Sequence, residues 1–514
     1  MSTPADPCVM GIDIGAGSLK TTIVDRTGRV RGSASFELRT ASPEPLWSEQ
    51  DPHDWWRGAC DTVPRALAEA ALPAAAIAAV SFSAGAHTPV LEDGAGRVLR
   101  PAILWNDQRS GAEAATLQAE HGERILEVAC NRPAATWTMP QLLWLARHEP
   151  ATMRRVRRIH VAKDWLRARL TGTWETDRTD AVGTLLWDCG ADAWSGELCA
   201  MIGLDPAVLP PVVASTSIVG TVTAAAAAAC GLAAGTPVVC GTSDTSVEAY
   251  GGGALRPGAG TVKLATAATV SRVGERAHVH STLINYPYAV PGLWYTITAT
   301  NSCASAHRWV RDRFFAGAGD GAAAFAAMDT LAAATAPGSD GLLFHPYLNG
   351  ERAPHWDPLL RADFLGMTFR HGPGHFARAV YEGIAFSLRD VLEQFRARGL
   401  GLERAGIVGG GARSGTWRQI VADVLGIPIE MARVTDASFG AALVAGVGCG
   451  LFADHASAVR DCVSIVAVHE PRAPERERYE ALYPIYRDAA LALVDVNHRL
   501  SAFERAAAPA RERA

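Results

Sequence analysis

Apolar and β-branched residues fill positions 9–14, stop at the small-residue tip Gly15-Ala16-Gly17-Ser18, and resume at 19–24 before the turn Asp25-Arg26-Thr27-Gly28. Two apolar runs about a glycine-rich tip predict a hairpin. A second run of this kind spans 261–273 (TVKLATAATVSRV), which suggests a duplicated architecture. Buried strands are predicted at 77–82, leading into Ser83-Ala84-Gly85-Ala86-His87-Thr88, and at 237–240, leading into Gly241-Thr242-Ser243-Asp244. Helical periodicity predicts helices at 55–71, 139–147, 163–170, 221–230 and 376–397. The alanine run ending at Cys230 reads as helix on propensity, with Gly231 as its stop. A short strand at 405–408 enters Gly409-Gly410-Gly411-Ala412-Arg413-Ser414 and a helix through Leu425. Strands alternating with helices make an α/β chain.

A domain boundary is placed at 245–255, where Gly251-Gly252-Gly253 offers a connection. This gives domains at 1–248 and 249–490, then a helix end and tail at 491–514 whose last residues, AAAPARERA, are expected to fray.

Composition narrows the partners. Among 514 residues, 48 Lys and Arg stand against 53 Asp and Glu, a formal charge of -5. Such a chain has no basic field for nonspecific capture of nucleic acid or an anionic membrane, so a small-molecule partner is expected. The N-terminus has no basic segment followed by an apolar one, and no long unbroken apolar window occurs, so the expected location is the cytoplasm. Ten cysteines, scattered singly without a C-x-x-C pair, read as reduced and mostly buried thiols rather than a zinc site or disulfide framework. Basic positions are almost all arginine. The only lysines are Lys20, Lys163 and Lys263, which invites the reading that each is needed as a compact ammonium.

Several segments bring together residues able to do chemistry. Asp13 at a strand end, the bare tip with Gly15 and Ser18, and Lys20 form a phosphate-binding arrangement, although an ordinary acidic hairpin has the same look. The second hairpin, with Lys263 before Thr266, suggests that two loops grip the phosphates of one nucleotide. Asp244 follows a buried strand and is a candidate base for a substrate hydroxyl; it fits equally an N-cap for a helix starting at Thr245. The strand-GGGARS-helix unit offers Gly410, Gly411 and Ser414 to an adenine or phosphate. Neither a G-x-x-x-x-G-K-[ST] loop nor a convincing G-x-G-x-x-G fingerprint is present. His87, Trp105, Asn106 and Asp107 form a polar and aromatic set suited to a polyol, although a lone histidine is more often structural.

Together these segments resemble the FGGY family of carbohydrate kinases, most closely its xylulokinase branch. The resemblance rests on GIDIGAGSLK at 11, LWSEQDPHDWW at 46, RVLRPAILWNDQRS at 97, KDWLRARLTG at 163, TDAVGTLLWD at 179, PYLNGERAPHWDP at 346, RADFLGMTF at 361 and VGGGARSGTWRQIVAD at 408. It implies two ribonuclease-H-like domains of the actin, Hsp70 and hexokinase type around an interdomain cleft holding ATP, Mg²⁺ and sugar. It further implies Asp244 as catalytic base, Asp13 beside the phosphates, and Mg²⁺ held by Asp13 and Asp244 through water. Gly15, Ser18 and Lys20 would line the first phosphate loop, Thr266 the second, and Gly410, Gly411 and Ser414 the adenine side. Ala86, His87, Trp105, Asn106 and Asp107 would face the sugar. A homodimer is a further implication of the family.

Departures from the family pattern accompany the resemblance. Ala16 stands where the first loop usually has threonine, and Ala265-Thr266-Ala267-Ala268 replaces a loop that usually reads G-T-S-G, so any position there needing φ > 0 would be strained. Ala86-His87-Thr88 replaces Met-His-Gly, and Gln141 stands where lysine is usual. The resulting expectation is an ATP-dependent kinase acting on a terminal hydroxyl of a small sugar or polyol, with D-xylulose the first candidate. Another pentulose, a tetritol or glycerol remains open, as does a nucleotide or sugar sensor of the same fold with little turnover.

Overall fold

A computed structural model describes residues 7–507. The chain divides into two compact units. The first runs to Pro257 and takes in Val273–Thr296 and Arg433–Ser464; the second holds Gly258–Arg272, Ile297–Ala432 and the chain from Ile465.

The first unit is built on β1 (Cys8–Ile14), β2 (Ser18–Val24), β3 (Val30–Glu37), β4 (Ile77–Ala84), β5 (Ile218–Thr221) and β6 (Pro237–Val239), in the sheet order β5-β6-β4-β1-β2-β3. β1 and β2 form the predicted antiparallel hairpin, with Asp13 opposite Lys20. β4 runs parallel to both β1 and β6. The alternation along β1 sends Met10, Ile12 and Ile14 to one face, where they pack with Trp55 and Val63 of α1 (Pro52–Ala70) and Leu166 of α2 (Ala162–Thr171). Asp51 caps α1 by accepting from the His53 amide at 2.9 Å, and Pro52 opens the helix where its missing N–H costs nothing. The helix expected at 221–230 is shorter, Ala224–Cys230, because the Thr223 hydroxyl caps it and Ile218–Thr221 is strand. α3 (Asp244–Gly251) follows β6 through Gly241, whose φ of +80° and 2.0 Å clearance between a notional Cβ and the Phe82 carbonyl admit only glycine.

The second unit repeats the plan. β7 (Ala259–Leu264) and β8 (Ala268–Gly274) form an antiparallel hairpin, and with β9 (Trp294–Ala299), β10 (Arg404–Val408), β11 (Ile429–Ala432) and β12 (Ile465–His469) they give the order β9-β8-β7-β10-β11-β12, with Ile284–Pro287 as a seventh strand beyond β9. The last two residues of β8, Ile284–Pro287 and the first three residues of β9 belong to the first unit. β10 lies parallel to β7 as β4 lies parallel to β1. α4 (Ala304–Phe314), the long buried α5 (Pro373–Arg396) and α6 (Gly415–Leu425) complete the parts used below.

One helix returns to the first unit from far along the chain. α7 (Ala437–Gly448) is apolar on nearly every side and lies against β1 on the face opposite α1. A Cβ at Gly11 would meet the Ser438 carbonyl at 1.9 Å, and one at Gly440 would meet the Val247 carbonyl at 2.0 Å, so glycines on β1 and α7 set how closely β1, α7 and α3 approach. All ten cysteines carry free thiols, and seven are buried. Among the described residues no helix is long and apolar enough to cross a membrane. The final helix, Val494–Ala507, reaches the end of the described residues, and 508–514, within the tail expected to fray, lie outside them.

Candidate active site

Three adjacent parallel strands deliver the candidate residues of the first unit at their C-terminal ends. Asp13 stands one residue from the end of β1, Ala86 and His87 follow β4, and Asp244 follows β6. In open α/β sheets this is where ligands bind. The Ser83 hydroxyl donates to Asp13 Oδ1 at 2.7 Å, and Asp13 Oδ2 accepts no hydrogen bond from the described residues. Burial and the charges of Asp244, Glu248 and Asp436 push the Asp13 carboxyl up to about 8, against the opposing pull of Ser83. Ser243, not Asp244, occupies the N-cap of α3; Asp244 is its first residue. Asp244 Oδ1 accepts from the Thr245 amide (2.5 Å) and hydroxyl (3.1 Å), leaving Oδ2 open.

The first loop is held from outside. The Gly15 amide donates to the Ser18 carbonyl at 2.9 Å, closing the tip. The Ala16 carbonyl accepts from Gln50 Nε2 (2.8 Å) and from the Thr40 hydroxyl (3.2 Å), and Gln50 Oε1 accepts from Trp55 Nε1 at 2.8 Å. Lys20 is paired with Asp436 at 2.8 Å. Gln50 and Asp436 did not stand out as candidates in the sequence. Asp436 carried a usable signal: an acid directly before an apolar run, where it caps α7 by accepting from the Phe439 amide at 3.1 Å.

On the expected sugar side the set divides. Trp105 is exposed and lies against Gly85, where a Cβ would meet its ring at 2.8 Å. With Ile14, Gly15, Ala16 and Thr88 it lines a cavity of about 10 Å³, so Trp105 and the first loop share a surface. Asn106 is exposed beside it and Ala86 is half-buried. Asp107 does not join them. It is buried, pairs with Arg109 at 2.8 Å and accepts from the Ser48 amide at 2.6 Å, while Arg109 also reaches Glu49 at 2.6 Å. The expectation that Asp107 faces a ligand therefore gives way to a buried ion-pair role. Gln141 is likewise buried, donating to the Leu104 carbonyl at 3.2 Å.

His87 is buried, with Nδ1 3.1 Å from the Thr136 carbonyl and Nε2 2.6 Å from the Tyr286 hydroxyl. Burial lowers its pKa to about 4, so the ring is neutral.

Comparison with known proteins decides the family. Residues 8–251 match the model of the N-terminal domain of the FGGY family of carbohydrate kinases, and 260–449 that of its C-terminal domain. The chain belongs to this family. It is 30% identical to a xylulose kinase of Bacillus subtilis over 97% of this chain and 99% of that one, and 33% identical to a xylulose kinase of Lactococcus lactis over 96% and 99%. Among solved structures, the xylulose kinase of Rhodospirillum rubrum superposes with a TM-score of 0.88 at 30% identity, covering 96% of this chain and all of that one. The chain is thus a sugar kinase with the two-domain α/β fold of the actin and hexokinase type, as its motifs implied.

In the second unit of this FGGY kinase, Thr266 is exposed at the tip of the β7–β8 hairpin. The amides of Cys303 (3.0 Å) and Ser305 (3.3 Å) donate to the Thr266 carbonyl and that of Ala304 (2.9 Å) to the Ala265 carbonyl, so the start of α4 props the tip. Ala265, Thr266, Ala267 and Ala268 all have negative φ, so the alanines impose none of the strain that a left-handed position would bring. Ala16 is unstrained for the same reason.

The glycines of GGGARS differ in kind. Gly409 has φ of +91° against the Leu264 carbonyl, and a Cβ on Gly411 would meet Trp417 at 2.7 Å and Leu264 at 2.8 Å. Around Gly410 a Cβ would meet nothing within 4 Å, which leaves it the open one. Ser414 caps α6 by accepting from the Trp417 amide at 2.9 Å, and its hydroxyl donates to Asp329.

Proposed function

We propose that this kinase transfers the γ-phosphoryl group of ATP to a terminal hydroxyl of a pentulose, with D-xylulose the first candidate. The observation that carries the reading is that Asp13, one residue from the end of β1, and Asp244, the first residue of the helix after β6, lie beyond the same edge of one sheet, each with an Oδ2 that accepts no hydrogen bond from the described residues. The xylulose kinases reported above, matched over nearly their full length, support the choice of sugar.

Asp244 Oδ2 takes the proton of the substrate hydroxyl as that oxygen bonds to the γ-phosphorus and the bond to the departing ADP oxygen breaks. The Thr245 amide and hydroxyl hold the other carboxylate oxygen and so fix the direction of Oδ2. The donor set suits Mg²⁺. Asp13 and Asp244 each keep an Oδ2 that accepts no hydrogen bond from the described residues, and a cation there would relieve the repulsion that raises Asp13, so these two would hold the ion through its water. When bound, the ion neutralises phosphate charge. In the first unit Gly15, Ser18 and Lys20 serve the phosphates; in the second, taken by itself, Thr266, Gly410 and Gly411 are the proposed nucleotide residues and Ser414 acts as a helix cap. The cytoplasm, with its ATP and reduced thiols, is the expected location.

The test is ADP release from ATP-Mg across pentuloses, aldoses, tetritols and glycerol, with Asp244→Asn as control. Turnover is expected on a pentulose and should vanish in Asp244→Asn, which keeps the shape of the site and its sugar binding. Undiminished turnover in that variant overturns the assignment of the base. ATP and sugar binding without turnover in the wild type would make the protein a sensor.

A further inference from the structure

The His87 ring spends both nitrogens on the protein. Because a carbonyl only accepts, Nδ1 carries the proton and donates to Thr136; Nε2 of the neutral ring is then an acceptor, and the hydrogen bond at 2.6 Å must be donated by the Tyr286 hydroxyl. No N–H of His87 remains for a ligand. The Tyr286 oxygen, having committed its proton, keeps only lone pairs.

Tyr286 is held firmly in this role. Its strand, Ile284–Pro287, is pinned at Asn285 by a reciprocal pair: Asn131 Nδ2 donates to the Asn285 carbonyl and the Asn285 amide to Asn131 Oδ1, each at 2.8 Å. The Thr296 hydroxyl adds a third bond to Asn285 Oδ1 at 2.9 Å. The Tyr286 ring stacks on Trp137 (centroids 5.7 Å, planes 7° apart) and on Tyr295 (5.1 Å, 24°), and Trp137 also stacks on His87 (4.1 Å, 27°). The Tyr295 hydroxyl lies 3.4 Å from Ser243 Oγ, next to Asp244. An aromatic row therefore runs from His87 to the residue before the base, inside one unit.

We propose that Tyr286 is a specificity-determining residue of the sugar site: its oxygen, made acceptor-only by donation to His87, reads a hydroxyl on the substrate and disfavours a carbonyl at that position. This rests on the proposed sugar site, so sugar binding is measured without ATP as well as turnover with it.

The experiment compares wild type with Tyr286→Phe, which keeps both stacks and removes only the oxygen, and uses Tyr295→Phe as control. Binding of D-xylulose is followed by the fluorescence of the protein's tryptophans, and kcat and KM by ADP release. Tyr286→Phe should weaken sugar binding and raise KM about tenfold, the size of one hydrogen bond, with kcat within about twofold; Tyr295→Phe should not weaken sugar binding. On the wild type alone, monodeoxyfluoro analogues of the sugar should show one position where fluorine, which cannot donate, costs the same factor. That second arm stands even if Tyr286→Phe does not fold.

Unchanged binding in Tyr286→Phe, or fluorine tolerated at every position, overturns the proposal. Wild-type binding without turnover would remove the kinase reading and leave this one tested by binding. No binding of any sugar or polyol in the panel would overturn both.

Discussion

The Lys20 ammonium lies 2.8 Å from Asp436, although 416 positions separate them in the chain. Asp436 does two things at once. Oδ2 takes Lys20, while Oδ1 accepts from the Phe439 amide (3.1 Å) and the Ser438 hydroxyl (2.5 Å) at the start of α7. The pair is about one-third exposed on each side, so its own contribution to stability is small, at most about 1 kcal/mol; the cap is worth about as much or more. Lys20→Met should therefore leave the melting temperature nearly unchanged and lower kcat/KM for ATP at least about tenfold, if the ammonium serves the phosphates. Asp436→Asn, a competent cap, should follow Lys20→Met in direction. Asp436→Ala should add a loss of about 1–2 kcal/mol in urea unfolding. Unaltered ATP kinetics in Lys20→Met would remove it from the phosphate loop.

Lys20 and Asp436 also show what was legible in the sequence. The hairpin around Gly15-Ala16-Gly17-Ser18, its echo around Thr266, the strands before Asp244 and GGGARS and the helices nearby all follow from local period and punctuation, and they stand where expected. The partners of those residues do not follow from it. Asp436 meets Lys20, Gln50 meets Ala16 and Tyr286 meets His87 through contacts between segments distant in sequence, and no local pattern states which strand end a remote side chain will meet. The same limit misassigned Asp107, whose neighbours Trp105 and Asn106 are exposed while its own carboxylate turns inward to Arg109.

That division can be measured. Trp105→Ala removes an exposed ring beside the first loop and should raise KM for the sugar with little effect on unfolding. Asp107→Asn removes one of the two carboxylates paired with the buried Arg109 guanidinium, which keeps Glu49 at 2.6 Å, and weakens the acceptor of the Ser48 amide, a change of about 1–3 kcal/mol. It should lower urea stability markedly and leave the sugar KM of the folded enzyme unchanged. A KM increase in Asp107→Asn at unaltered stability would restore Asp107 to the sugar site.

The adjacent glycines 410 and 411 should respond in opposite ways to the same methyl. Gly410→Ala meets open space and needs no left-handed φ, so stability should hold within about 0.5 kcal/mol. If a nucleotide lies there, KM for ATP should rise several-fold. In Gly411→Ala the methyl is driven into Trp417 and Leu264, and overpacking of about 1–3 kcal/mol should appear as lost stability before any kinetic change. Equal melting temperatures for the two variants would contradict this packing.

Acid sensitivity should come from buried neutral histidines. Burial lowers His87, His307 and His455 to about 4 each, from an ordinary value of 6.5. The unfolded chain binds protons at these rings below about pH 6.5 while the folded chain does not until about pH 4, so unfolding takes up protons across that window and stability falls as pH falls through it. Below about pH 4 both states are charged and the effect levels off. Each ring contributes at most about 3 kcal/mol. His455 isolates one of them, because neither of its nitrogens has a hydrogen-bond partner among the described residues and its ring stands edge-on to Tyr250 at 5.2 Å. His455→Phe keeps that contact and removes the titration. Urea unfolding at intervals from pH 4 to 7 should show the slope of stability against pH reduced by one proton's worth in the variant, with kcat near neutrality unchanged. An identical slope in the two proteins would mean that His455 is already charged or solvated in the folded state.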